Sequence, residues 1–149
     1  MSQGYNVVGI DVSKYALIHA KKKISKIPGL SKNLKLKILD QKKRKLPFKD
    51  NSFDYIVSMS VLSLLGSKKK IEFLLNEFLR ILKPGGKILL DINDHNSEFS
   101  KGYKEIKKNT FIFKPNKKEF LPTRCYCLPT LYSFKKLVLK YFLIKDAGY

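Results

Sequence analysis

Between Tyr5 and Ile10 the chain runs YNVVGI, a short apolar stretch closed by Asp11. This pattern predicts a buried parallel strand with a carboxylate at its C-terminal end. Ser13 then caps a helix, and Ala16, Ala20, Ile24 and Ile27 recur at helical spacing to lay down one apolar stripe. Lys21, Lys22, Lys23 and Lys26 sit late in that helix, where its dipole favours cations, and Pro28-Gly29 stops it. Leu34 to Leu39 alternates Leu34, Leu36 and Ile38 with lysines, the pattern of a second strand, and again an acid follows, Asp40.

Residues 41–52 read as a polar loop, and Phe53 to Met59 (FDYIVSM) as a third strand. Ile71, Leu74, Leu75, Phe78 and Leu82 mark an amphipathic helix opening near Ser67. Lys83-Pro84-Gly85-Gly86 breaks it and turns the chain into a strand over Lys87 to Ile92. Strand, helix, strand, loop, strand, helix, strand is the order of a parallel sheet covered by helices, an α/β fold. The last third differs. Asn93 to Lys108 is polar and reads as a loop, Thr110 to Lys114 and Glu119 to Leu128 read as an antiparallel hairpin, and Leu131, Phe134, Leu137, Val138, Tyr141 and Phe142 give a final helical stripe.

Composition changes this picture little. A chain of 149 residues with 44% hydrophobic residues suffices for one domain with a core. The net charge of +19 invites a nucleic-acid reading, but it is nearly all lysine, with only Arg44, Arg80 and Arg124 to offer the planar fork that phosphate and base recognition favours. Lysines scattered over every segment are accounted for by solvation alone. Cys125 and Cys127, two apart on one strand, point the same way without disulfide geometry. No apolar run reaches the roughly 18 residues of a membrane span, and the N-terminus lacks a basic segment followed by an apolar one, so a cytoplasmic protein is expected.

A carboxylate at the end of a parallel strand can accept both hydroxyl protons of a ribose, each charge-assisted bond contributing roughly 1.5–3 kcal/mol. Asp11 is so placed, and Asp40, one strand later, is placed to meet an adenine amino group. The alternatives are a helix-capping or solvated Asp11 and an ordinary polar strand end at Asp40.

Three stretches carry a resemblance: GYNVVGIDVSKYALIHAKKK, LKILDQKKRKLPFKDNSFDYIVSMSVL and NEFLRILKPGGKILLDI, together most of Gly4 to Ile92. With Asp11 and Asp40 upstream, LPFKDNSFD followed by LKPGG resembles the class I S-adenosylmethionine (SAM)-dependent methyltransferases, in their type 11 group. The resemblance implies a Rossmann-like sheet flanked by helices, SAM as cofactor and a single domain. Residues 1–92 would be its cofactor-binding core, 93–128 a lid and acceptor loop with an inserted antiparallel hairpin, and 129–149 the last helix and the start of a last strand. It assigns Asp11 to the ribose hydroxyls, Val12 to packing on the adenine, Asp40 with Gln41 to the adenine edge, and Ser58 and Met59 to the methionine part. Phe53 and Asp54 are expected to be structural, and Pro84, Gly85 and Gly86 to be backbone devices. No metal is implied.

The family places an acidic, glycine-rich loop of the form E/D-x-G-x-G-x-G after its first strand. Here only Met1 to Gly4 precede the strand that matches the family's second, so this strand and loop are expected to be lacking. A misplaced start or broken gene is preferred over a short chain completed by its neighbours. Asp94 and His95, past the last strand of the matching region, are candidate acceptor-side bases, set against plain solvation, and Tyr126 is a weaker one. Ser58-Met59-Ser60-Val61 stands where base-amine methyltransferases carry Asn/Asp-Pro-Pro-Tyr, and neither cysteine follows a proline. A small-molecule acceptor is therefore expected. The alternatives are an RNA substrate held by Lys101, Lys104, Lys107, Lys108, Lys117 and Lys118, and a non-catalytic remnant that does not bind SAM.

Overall fold

A computed structural model describes residues 4–29, 31–40, 43, 45–114 and 122–148, which form two compact units, Met1–Pro47 and Phe48–Tyr149. In the first, β1 (Val7–Asp11) leads into α1 (Lys14–Ile24), and a 3-10 turn at Ser31–Asn33 leads into β2 (Leu34–Ile38). The two strands pair in parallel, from Val7 opposite Leu34 to Asp11 opposite Ile38. The Ser13 hydroxyl accepts from the Ala16 amide at 3.2 Å, which satisfies one of the free N–H groups that open α1. The helix stops at Ile24, short of Lys26 and Ile27: the Ser25 hydroxyl takes the Lys22 carbonyl at 3.0 Å, and the Lys26 and Ile27 amides bond carbonyls three residues back instead of four. No residue of α1 is fully buried, and its inner side is Leu17, Ala20 and Ile24, with Ala16 exposed.

In the second unit β3 (Phe53–Ser58) is followed by a 3-10 turn at Ser63–Leu65, then α2 (Lys68–Ile81) and β4 (Leu82–Leu90). The Ser67 hydroxyl caps α2 by accepting from Lys70 N, and the helix buries Ile71, Leu75 and Phe78 of the predicted stripe, with Leu74 only partly covered, Leu82 buried just beyond the helix at the start of β4, and Ile81, not predicted, buried as well. Glu77 is buried on the same helix. Its carboxylate takes both Nε and Nη2 of Arg80, while Arg80 Nη1 donates to the Phe48 carbonyl at 2.8 Å and to Asp50 Oδ1 at 2.7 Å. The Asn51 and Ser52 amides bond the carbonyls of Arg80 and Ile81. The loop entering β3 is thus fastened to the end of α2, a physical reason for LPFKDNSFD and LRILKPGG to occur together.

β3 and β4 pair in parallel, with a bulge: between Phe53–Leu82 and Tyr55–Lys87 the first strand advances two residues and the second five. Gly85 has φ +77°, and a Cβ on Gly86 would come within 2.9 Å of the Leu82 side chain and the Lys83 carbonyl, so both glycines serve the backbone. The expected turn is therefore a bulge inside a longer strand. Asp54 forms a salt bridge with Lys83 at 2.9 Å.

Beyond β4 a three-stranded antiparallel sheet forms in the order β5 (Glu105–Lys107), β6 (Thr110–Phe113), β7 (Thr123–Tyr126). The expected loop over Asn93 to Lys108 therefore contains a strand, and Asn109, with a φ of +61°, suits the tight reversal into β6. α3 (Leu131–Val138), capped by Thr130, buries Leu137 and Val138 and ends before Tyr141 and Phe142. Leu62, Ile71, Leu75, Cys125 and Cys127 are fully enclosed in this unit. Gly66, at φ +67°, lets the 3-10 turn lie against β7, since a Cβ there would stand 2.8 Å from the Arg124 carbonyl. Among the described residues no helix is long and apolar enough to cross a membrane.

Candidate functional site

Parallel pairing brings the C-terminal ends of both strands of each pair to one edge, and the predicted residues fall at those edges. In the first unit Asp11 ends β1 and Asp40 lies two residues past β2, and the Leu39 amide donates to the Asp11 carbonyl at 2.8 Å, tying the two strand exits together. The partly buried Asp11 carboxylate accepts the Ser13 amide on Oδ1 at 2.7 Å. The helix cap itself is Ser13, so this bond is a local turn contact that leads into the helix and not the capping role weighed against ribose binding. It uses one oxygen and fixes the carboxylate's orientation, leaving Oδ2 outside the contact. Val12 is 47% exposed, an apolar surface beside the acid, and Asp40 is exposed. Gln41 lies outside the described residues.

In the second unit Ser58 ends β3 opposite Leu90. Its side chain is buried, 4% exposed, and its hydroxyl has no hydrogen-bond partner among the described residues. A buried hydroxyl left without a partner costs about 1–3 kcal/mol. Met59 beside it is 50% exposed. Asp91, which sequence reasoning did not single out, follows β4 and accepts the Ser60 amide on Oδ1 at 2.6 Å. Its only sequence signal was a third acid after a strand, hidden inside the run LLDIND.

Asp94 and His95 hold the following loop. Asp94 Oδ1 accepts from Asn96 N at 2.9 Å, and its carbonyl accepts the hydroxyls of Ser97 and Ser100. His95 Nε2 lies 3.1 Å from both Asn109 Oδ1 and the Cys127 carbonyl. A carbonyl can only accept, so Nε2 carries the proton and Nδ1 is the basic nitrogen. The ring also meets Phe111 edge-on at 5.3 Å. Both candidates therefore have a structural task, and Tyr126 is buried. Cys125 and Cys127 are free thiols; burial raises the pKa of Cys125 to about 11 and that of Cys127 as well, which makes both poor nucleophiles.

An open depression lined by Asp54, Tyr55 and Lys83 through Lys87 lies at the opposite edge, where β3 begins, away from the strand exits. Lys101, Lys104, Lys107 and Lys108 are exposed around the edge strand β5, where lysines also discourage pairing with another chain. Lys117 and Lys118 lie outside the described residues.

A family model described as a methyltransferase domain matches residues 1–90. An uncharacterized protein of Methanocaldococcus jannaschii is 33% identical over 107 residues, covering 72% of this chain and 45% of that protein. An uncharacterized protein of Haemophilus influenzae is 34% identical over 99 residues, covering 62% and 37%. The matches thus span less than half the length of these curated relatives. Among solved structures, a SAM-dependent methyltransferase from Methanosarcina mazei is similar with a TM-score of 0.74 at 22% identity, over 93% of this chain and 69% of that one. A Pyrococcus horikoshii protein gives 0.73 at 23% identity, over 96% and 65%. At those identities the likeness is one of fold, a Rossmann-like α/β arrangement.

Proposed function

The chain belongs to the methyltransferase domain family, and from that premise we propose that it carries the nucleoside-binding edge of a class I enzyme that methylates a small-molecule acceptor. The methyl donor of that class is S-adenosylmethionine, which when bound supplies an electrophilic methyl group on a sulfonium. The observation that carries the reading is Asp11, an oriented, partly buried carboxylate at a parallel strand exit, with the second acid's strand tied to it through Leu39.

In this reading Asp11 accepts the ribose hydroxyls, chiefly through the oxygen that Ser13 leaves unused. Val12 covers one face of the adenine, and Asp40 with Gln41 meets its edge. Ser58, whose hydroxyl has no partner among the described residues, and Met59 are the residues proposed for the methionine end. Acceleration comes mainly from holding donor and acceptor aligned, worth up to roughly 7–11 kcal/mol in well-oriented systems, and asks little of side-chain proton transfer. Where the acceptor must lose a proton, His95 Nδ1 is the better placed of the two proposed bases, because its tautomer is fixed.

The test is titration of the chain with S-adenosylhomocysteine, the demethylated product, followed by amide NMR shifts and calorimetry. Wild type is expected to bind, and Asp11→Ala to weaken binding at least tenfold, the loss of about one charge-assisted hydrogen bond. Equal affinities would remove Asp11 from the site. No binding by wild type would favour the non-catalytic remnant.

A further inference from the structure

We infer that Asp91 is a positioning residue for the methionine end of the cofactor site, acting by holding Ser60 in a left-handed backbone conformation. The inference rests on the cofactor reading given above. Ser60 has φ +56°. Asn51 and Asn109 share that region of backbone space, but asparagine tolerates it through its short amide, whereas serine gains no comparable relief. The Ser60 amide donates to Asp91 Oδ1 at 2.6 Å, across 31 residues of sequence, and the Asp91 amide reaches back to the Ser58 carbonyl at 3.4 Å. One residue after β4 thus grips both sides of Met59.

Its neighbour does something different. The Ser63 hydroxyl accepts the Asn93 amide at 2.8 Å and is buried, an anchor that fixes the turn's far end beside the enclosed Leu62. Two costs to stability stand side by side in β3's exit, a left-handed serine and the buried hydroxyl of Ser58, which has no partner among the described residues. Backbone strain of this kind gathers at functional sites, and this pairing of strain with a buried hydroxyl is the observation behind the inference. Without the Asp91 carboxylate, Ser60 is free to return to negative φ, which turns the peptide after Met59 and with it the direction of Ser58 and Met59.

Glycine adopts φ +56° unaided, so it should make Asp91 dispensable. The experiment titrates the full chain with S-adenosylhomocysteine by amide NMR, as wild type, Asp91→Ala, Asp91→Asn, Ser60→Gly and the Ser60→Gly/Asp91→Ala double variant, with urea midpoints measured alongside. Asp91→Ala is expected to weaken binding about tenfold, Asp91→Asn less because it keeps an oxygen acceptor, and Asp91→Ala in the Ser60→Gly background under about threefold. Should Asp91→Ala alone fail to fold, the comparison of Ser60→Gly with the double variant decides.

Unchanged affinity in Asp91→Ala, or an undiminished loss in the Ser60→Gly background, overturns the inference. So does a loss of affinity that only tracks the urea midpoint. Binding that Asp11→Ala removes and Asp91→Ala leaves intact overturns the positioning role alone. A wild type that shows no shifts overturns the cofactor reading and this inference with it.

Discussion

The β1–β2 and β3–β4 pairs are built alike, each parallel and each followed by acids at its exit, yet they are packed very differently. Among the described residues of the first unit only Leu46 is buried, and α1 contributes none. The second unit encloses Leu62, Ile71, Leu75, Cys125 and Cys127 completely. The carboxylates proposed to hold a nucleoside thus stand on the lightly packed pair. A ligand bound there would add stability to the more lightly packed region, and lightly packed regions are the ones that open first.

The sharpest way to break this contrast is a matched pair of truncations. Leu75→Ala removes an enclosed side chain from α2 and is expected to cost about 2–5 kcal/mol. Leu17→Ala in α1 removes a half-buried one and should cost about 1 kcal/mol or less. Urea unfolding measures both. Equal costs would mean that α1 is packed as firmly as α2.

The same contrast explains what was legible in the sequence. Caps and stripes act locally, so Ser13, Ser67, the stripe of α2 and the glycines after Pro84 could be read directly, and Asp11 and Asp40 could be placed at strand exits. Helix ends were less legible: α1 stops early, where the Ser25 hydroxyl takes the Lys22 carbonyl. Least legible were features made by residues distant in sequence. Glu77 looks like a surface residue until Arg80 and the loop at Phe48 and Asp50 enclose it, and β5 becomes a strand only because β6 is there to pair with it. Asp91 matters because of Ser60, 31 residues earlier, and no periodicity encodes that.

Next in size is the Arg80 clamp, which belongs entirely to the well-packed unit. The side chains of Arg80 and Glu77 are 16% and 10% exposed, so removing one partner strands a largely buried charge. Arg80→Met is expected to cost about 3–4 kcal/mol. Adding Glu77→Leu should recover most of that, to within about 1 kcal/mol of wild type, because an apolar pair needs no compensating charge. Chemical denaturation of the two variants checks it. A double variant as unstable as the single one would show that the cost lies in losing the tie to Phe48 and Asp50.

The smallest effect concerns pH and uses the enclosed thiols as reporters of the same packing. Burial raises the Cys125 pKa from 9.0 to about 11, with the neighbouring Cys127 adding to the rise. A thiol that ionises later when folded binds its proton more tightly in the native state. The unfolded chain therefore loses that proton first, and stability falls as pH rises from about 9 to about 11 while remaining complete below 9. Cys127, also shifted upward by burial, acts in the same direction. Unfolding curves across this range should therefore steepen in their pH dependence for wild type and flatten for Cys125→Ser. An identical slope in both would mean that water reaches the thiol, and that the interior behind β7 is as loosely closed as the sheet carrying Asp11.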